Sequence, residues 1–101
     1  MYDHRVQGFS DLCYDHFMKF QFTHHVKQKL ARIQQYGFTV NQTIIKQTIQ
    51  NPVRVEDRLD GTKIATGLLD PHRCLRVVYR EEDGIIVVIT CYPGRRKAYG
   101  I

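Results

Sequence analysis

A change of hydrophobic period at Asn51-Pro52 constrains this chain more than any other feature. Upstream of it apolar residues recur about every 3.6 positions; downstream they alternate. Val26, Leu30, Ile33 and Gly37 fall at i, i+4, i+7 and i+11, one stripe of a helix that Thr23 caps and that runs to about Tyr36. Gly37 ends it in the usual C′ manner. Thr39-Val40-Asn41-Gln42 has the form of a capping box, with Gln42 reaching back to Thr39. It predicts a second helix that turns Ile44, Ile45, Thr48 and Ile49 inward, and Asn51-Pro52 stops it. The pair reads as a helical hairpin.

Beyond Pro52, Val53 to Leu59 reads as a strand, Asp60-Gly61 as a tight turn and Thr62 to Leu69 as the returning strand. After an Asp70-Pro71 loop, Cys74 to Glu81 and Ile85 to Tyr92 form a second hairpin around Asp83-Gly84. If Asp83-Gly84 is a two-residue loop, Glu82 faces Ile85. That register puts Leu75, Val77 and Tyr79 on one face with Tyr92, Thr90 and Val88. Arg76, Val78 and Arg80 share the other with Cys91, Ile89 and Val87. Residues 1–22 are rich in aromatics. Within them a short helix is expected from Ser10 to about Phe17, and Lys19 to Phe22 is expected to be extended. The order makes the chain α+β: N-terminal helices packed on a roughly four-stranded antiparallel sheet, one domain over 1–101 with 1–22 as an extension.

The 101 residues leave no room for a second independent core. The longest apolar run, Ile85 to Ile89, is far short of the roughly 20 residues that span a bilayer. The first residues lead into no apolar core of a secretory signal. Three cysteines, Cys13, Cys74 and Cys91, are an odd set without an export signal, which points to reduced thiols and a cytoplasmic location. The net charge is +5, and its distribution is uneven. No acid occurs between Asp15 and Glu56 or after Asp83, whereas Arg95-Arg96-Lys97 lies near the C-terminal end. Such asymmetry suits a polyanion or an acidic protein as partner.

Thr23-His24-His25-Val26, the Gly37-Phe38-Thr39 break, Asn51-Pro52, Leu75-Arg76-Val77-Val78-Tyr79 and Val88-Ile89-Thr90-Cys91-Tyr92-Pro93 occur in that order. Arg95-Arg96-Lys97 and Tyr99 follow them. Over residues 20 to 101 the set resembles a bacterial domain-of-unknown-function family related to the RelE/ParE toxins, in the barnase–EndoU–colicin–RelE fold group. Two positions depart from that pattern. Two histidines stand side by side, of which His25 is the better match, and Tyr36 occupies a position where many relatives carry arginine.

The resemblance implies a toxin-like endoribonuclease, an mRNA interferase that cuts single-stranded or ribosome-bound RNA without metal or other cofactor. It also implies an acidic antitoxin protein as partner and no membrane association. Such cleavage needs a base for the 2′-hydroxyl proton, an acid for the leaving 5′-oxygen and fixed positive charge at the phosphate. His25 is the candidate acid or base, Arg76 and Arg95 the phosphate-stabilising pair, and Tyr99 a proton donor or stacking group. Lys29, Arg32, Lys63, Tyr92, Arg96 and Lys97 extend the RNA-binding face. For Arg76 an equal reading is a salt bridge to Glu56 or Asp57. The rival to the whole scheme is a non-catalytic module of the same fold that contacts nucleic acid or an acidic protein. A gyrase-directed poison is a third reading. The ribonuclease and binding-module readings part on geometry: convergence of His25, Arg76, Arg95 and Tyr99 favours catalysis, and their scatter favours binding.

Overall fold

Helix α1 (His24–Gln35) begins at Thr23, whose hydroxyl accepts a hydrogen bond from the Val26 amide at 3.2 Å. One of the amides that a helix start leaves unpaired is thereby satisfied. The same hydroxyl donates to the Ile89 carbonyl at 3.1 Å, and the Thr23 amide donates to the Val88 carbonyl at 3.2 Å. A single residue thus caps the helix and ties it to the sheet. Val26, Leu30 and Ile33 form the buried stripe, and Gly37 adopts φ +89° just past the end. The computed structural model describes residues 12–15 and 18–101, so Ser10 and Phe17 lie outside the described residues.

Helix α2 (Gln42–Gln50) starts two residues later than the capping box requires. Asn41 is the cap, its side-chain oxygen accepting from the Ile44 amide at 2.9 Å. The reason lies in Val40, which is buried and whose carbonyl accepts from the Gln34 side-chain amide at 2.7 Å. Those contacts hold Val40 out of the helix. Ile45, Thr48 and Ile49 are buried as expected, and Ile44 is half-buried.

Among the described residues the sheet has six strands in the order β1-β2-β6-β5-β4-β3: β1 (Leu12–Asp15), β2 (Met18–Phe22), β3 (Arg54–Asp57), β4 (Lys63–Leu68), β5 (Arg73–Glu82) and β6 (Ile85–Arg95). This corrects the four-stranded antiparallel expectation in two ways. Leu12–Asp15 is a strand antiparallel to β2 where a helix was expected. β2 itself lies parallel to β6, with Phe20 opposite Ile86 and Phe22 opposite Val88, so the sheet is mixed. Phe20 and Phe22 drive that docking: both are fully buried, their rings edge to face at 6.4 Å. They join Val26, Leu30, Ile45, Leu75, Val77 and Val88 in a single core between helices and sheet.

The β3–β4 turn is closed by the Arg58 amide on the Thr62 carbonyl at 2.9 Å and the Gly61 amide on the Arg58 carbonyl at 3.2 Å, with Gly61 at φ +88°. Asp83 (φ 51°) and Gly84 (φ 79°) form the two-residue turn between β5 and β6. From Glu82–Ile85 to Tyr79–Val88 the register is the expected one. Then it shifts. Val78 faces Thr90 and Arg76 faces Tyr92, leaving Ile89 as the extra residue of a β-bulge. Thr23 holds the Ile89 carbonyl at that point. The shift corrects the predicted faces: Cys91 enters the core opposite Val77, while Tyr92 and Thr90 move to the side of Arg76. β6 also continues through Pro93-Gly94 to Arg95 instead of ending at Tyr92. Beyond Val88 it has a strand neighbour only on the β5 side among the described residues, a setting that tolerates proline. A short 3-10 turn, Arg96–Tyr99, follows. No helix among the described residues is long and apolar enough to cross a membrane.

Candidate functional site

Strand alternation sorts the cationic residues into two groups. Leu75 and Val77 of β5 point into the core beneath the helices, so Arg76 points to the opposite face of the sheet. There it is almost completely buried, at 5% exposure. Its Nη1 and Nη2 donate to the two carboxylate oxygens of Glu56 at 3.2 and 3.3 Å, the two-pronged geometry that a guanidinium matches best. Nε donates to the Tyr92 hydroxyl at 3.1 Å, and Nη1 also lies 3.4 Å from the Thr66 hydroxyl. The Tyr99 ring covers the guanidinium at 4.2 Å from its centroid. Gly94 makes room for that ring, since a Cβ there would stand 2.8 Å from Tyr99 Cε2.

The electrostatics follow from these contacts. Hydrogen bonding from Arg76 holds the Glu56 carboxyl below the ordinary carboxylate range, against a smaller opposing effect of burial. Burial works against the Arg76 charge, but the bonds to Glu56 and Tyr92 outweigh it and push the guanidinium further above its usual value. Arg76 is therefore a charge already matched, and the salt-bridge reading of it is the observed one. Arg54 lies 3.9 Å from the same Glu56 carboxylate.

The second group stands at the end of the sheet where β5 begins and β6 ends. Arg73 is directly opposite Arg95, and the two with His72 and Lys97 line an open cleft of about 390 Å³. Like charges placed opposite each other on neighbouring strands cost stability. The loop that carries His72 is fixed from both sides. Asp70 Oδ1 accepts from the amides of His72 and Arg73 at 2.8 and 2.6 Å, and these bonds, with the nearby Arg73 charge, hold the Asp70 carboxyl below the ordinary carboxylate range. Arg96 Nη1 donates to the Pro71 carbonyl at 3.3 Å, and the Arg96 amide donates to the His72 carbonyl at 2.9 Å. The buried Nε of Arg96 has no acceptor among the described residues. Arg73 is oriented by the Phe38 ring, 5.3 Å from its guanidinium carbon.

The candidate residues thus divide. Arg76, Tyr92 and Tyr99 meet on the face away from the helices. His25 is exposed in the first turn of α1, a helix that packs on the other face. Arg95 and Lys97 belong to the cleft at the sheet end, and Arg96 braces its loop. Lys29 and Arg32 are on α1 with His25, and Lys63 lies 3.9 Å from Glu81. Sequence reasoning did not single out His72 and Arg73 as a binding pair. Their signal was the register that sets Arg73 against Arg95. No family model matches the chain, and no curated protein or solved structure is significantly similar to it.

Proposed function

We propose that this domain is a non-catalytic module that binds the phosphate backbone of a nucleic acid, most simply single-stranded RNA, through the cleft of His72, Arg73, Arg95 and Lys97. The observation that carries this reading is the excess of positive charge there: Arg73 and Arg95 are opposite each other across a strand pair, with His72 and Lys97 beside them, and Asp70 is the one nearby carboxylate among the described residues that offsets them. A phosphate between the arginines would relieve their repulsion. Anisotropy titration of a labelled oligoribonucleotide at several salt concentrations tests this reading. For three or four phosphate contacts the logarithm of affinity should fall with the logarithm of salt at a slope of about −2 to −3. The RNA should come through the titration uncut. A slope near zero, or no binding at low salt, would refute the proposal.

The toxin-like ribonuclease is kept as a second reading because Arg76, Tyr92 and Tyr99 lie together. In that reading an RNA phosphate takes the place of Glu56 beside Arg76, the released Glu56 carboxylate takes the 2′-hydroxyl proton as that oxygen bonds phosphorus, and a tyrosine hydroxyl protonates the 5′-oxygen as its bond to phosphorus breaks, leaving a cyclic phosphate; an acidic antitoxin covers the face. His25 and Arg95 take no part in that step. Cleavage of mRNA by the purified protein, with or without ribosomes, and its loss in Arg76→Lys would establish this reading over the first.

A further inference from the structure

β3 is the last strand of the described sheet, and its outer edge lies outside the proposed nucleic-acid site. Among the described residues β3 pairs only with β4, through Arg54–Thr66, Val55–Ala65, Glu56–Ile64 and Asp57–Lys63. The Arg58 amide bonds the Thr62 carbonyl, and the Val53 amide bonds the Thr66 carbonyl at 2.8 Å and is not available to a further strand. By alternation Glu56 and Arg54 also direct their backbone groups toward β4. The amide and carbonyl of Val55 and of Asp57 therefore face away from the sheet. Val55 and Val53 are also about half exposed beside this edge, at 47% and 52%. An edge of this kind is a template for a further strand.

We propose that β3 pairs antiparallel with β3 of a second copy of this chain, about a two-fold axis at Val55. The register follows from charge. For outward backbone groups to meet, odd-numbered residues must face odd-numbered residues. Setting Val53 against Val55 of the second copy brings Arg54 against Arg54, and setting Val55 against Asp57 brings Glu56 against Glu56. Setting Val55 against Val55 instead places Arg54 opposite Glu56 at two symmetric positions. Charges on an edge ordinarily discourage pairing; in this register they become partners. Arg54 lies 3.9 Å from Glu56 of its own chain and would exchange that long contact for Glu56 of the second copy; the carboxylate has room for it, because it offers about four lone-pair sites and Arg76 takes two. The two sheets join into one of twelve strands, with the Val55 side chains in contact across the axis.

Light scattering after size exclusion, over a protein concentration series up to about 1 mM, tests the proposal. The chain should shift reversibly from one copy to two. Val55→Pro removes an outward amide while leaving the ladder to β4 intact, and it should raise the dimer dissociation constant at least tenfold. Val55→Cys should cross-link to itself under mild oxidation, and Arg54→Cys should not. The cross-linking pair keeps the proposal testable should the proline variant fold poorly. A wild-type chain that stays single throughout, a Val55→Pro variant that dimerises undiminished, or equal cross-linking by both cysteine variants would overturn it.

Discussion

Glu56→Ala should destabilise the protein more than Arg76→Met, although each removes one half of the same ion pair. The Arg76 side chain is 7% exposed and that of Glu56 is 37% exposed. Truncating Glu56 leaves a guanidinium in a poorly hydrated place without counter-charge. Truncating Arg76 leaves a carboxylate that water reaches. Breaking a fully buried pair from one side costs about 3–5 kcal/mol. Here the Tyr92 and Thr66 hydroxyls and the Tyr99 ring still serve the guanidinium. What disappears is a pair of charge-assisted hydrogen bonds, so about 2–3 kcal/mol is expected for Glu56→Ala. Arg76→Met keeps most of the volume and should cost about 1 kcal/mol or less. Urea unfolding of the two single variants and the double variant measures this, with the denaturant slope as a check that the unfolded state is unchanged. In the double variant, Glu56→Ala should add little once Arg76 is gone. A Glu56→Ala cost within about 0.5 kcal/mol of zero, or one smaller than that of Arg76→Met, would refute the argument that the buried partner is the costly one to strand.

Three further predictions follow from the same contacts. Because the folded Glu56 carboxyl titrates below its unfolded value of about 4.3, its stabilisation is present above that pH and is lost as pH falls through the folded value. The stability gap between wild type and Glu56→Ala should therefore narrow in acid, which unfolding at a series of pH values would reveal. Thr23→Ala removes both the cap of α1 and the bond to the Ile89 carbonyl, and should lower stability by about 1–2 kcal/mol in thermal unfolding, with Thr23→Ser restoring most of it. Cys91 is fully buried and its thiol is pushed up to about 11, so a thiol reagent at neutral pH should label it only as the protein unfolds.

Local signals carried much of this fold. The Thr23 cap, the Gly37 stop, the Asp83-Gly84 turn and the apolar stripe of α1 all depend on neighbours in sequence, and each lies where the residues imply. What the chain concealed were encounters between distant segments. The parallel docking of Phe20 and Phe22 against β6 joins residues separated by both helices and two hairpins. The bulge at Ile89 arises beside Thr23, sixty-six positions away, and no turn residue marks it. That one extra residue determined the site. In the unbroken register Tyr92 would have faced the core; in the bulged one it bonds Arg76. The pairing of Arg76 with Glu56 was legible as one of two readings, because a mid-strand arginine among apolar neighbours needs either an open face or a counter-ion. The placing of Arg73 opposite Arg95 was not legible, since it exists only in the shifted register.

In the proposed binding mode the exposed cations at the sheet end, and not the matched Arg76, meet a polyanion. RNA affinity measured side by side for wild type, Arg95→Ala/Lys97→Ala and Arg76→Met tests this most directly. The cleft variant should lose at least tenfold in affinity and show a shallower salt dependence, while Arg76→Met binds as wild type does and the RNA stays whole. Loss of binding in Arg76→Met with the cleft variant unaffected, or scission of the RNA that Arg76→Met abolishes, would contradict it.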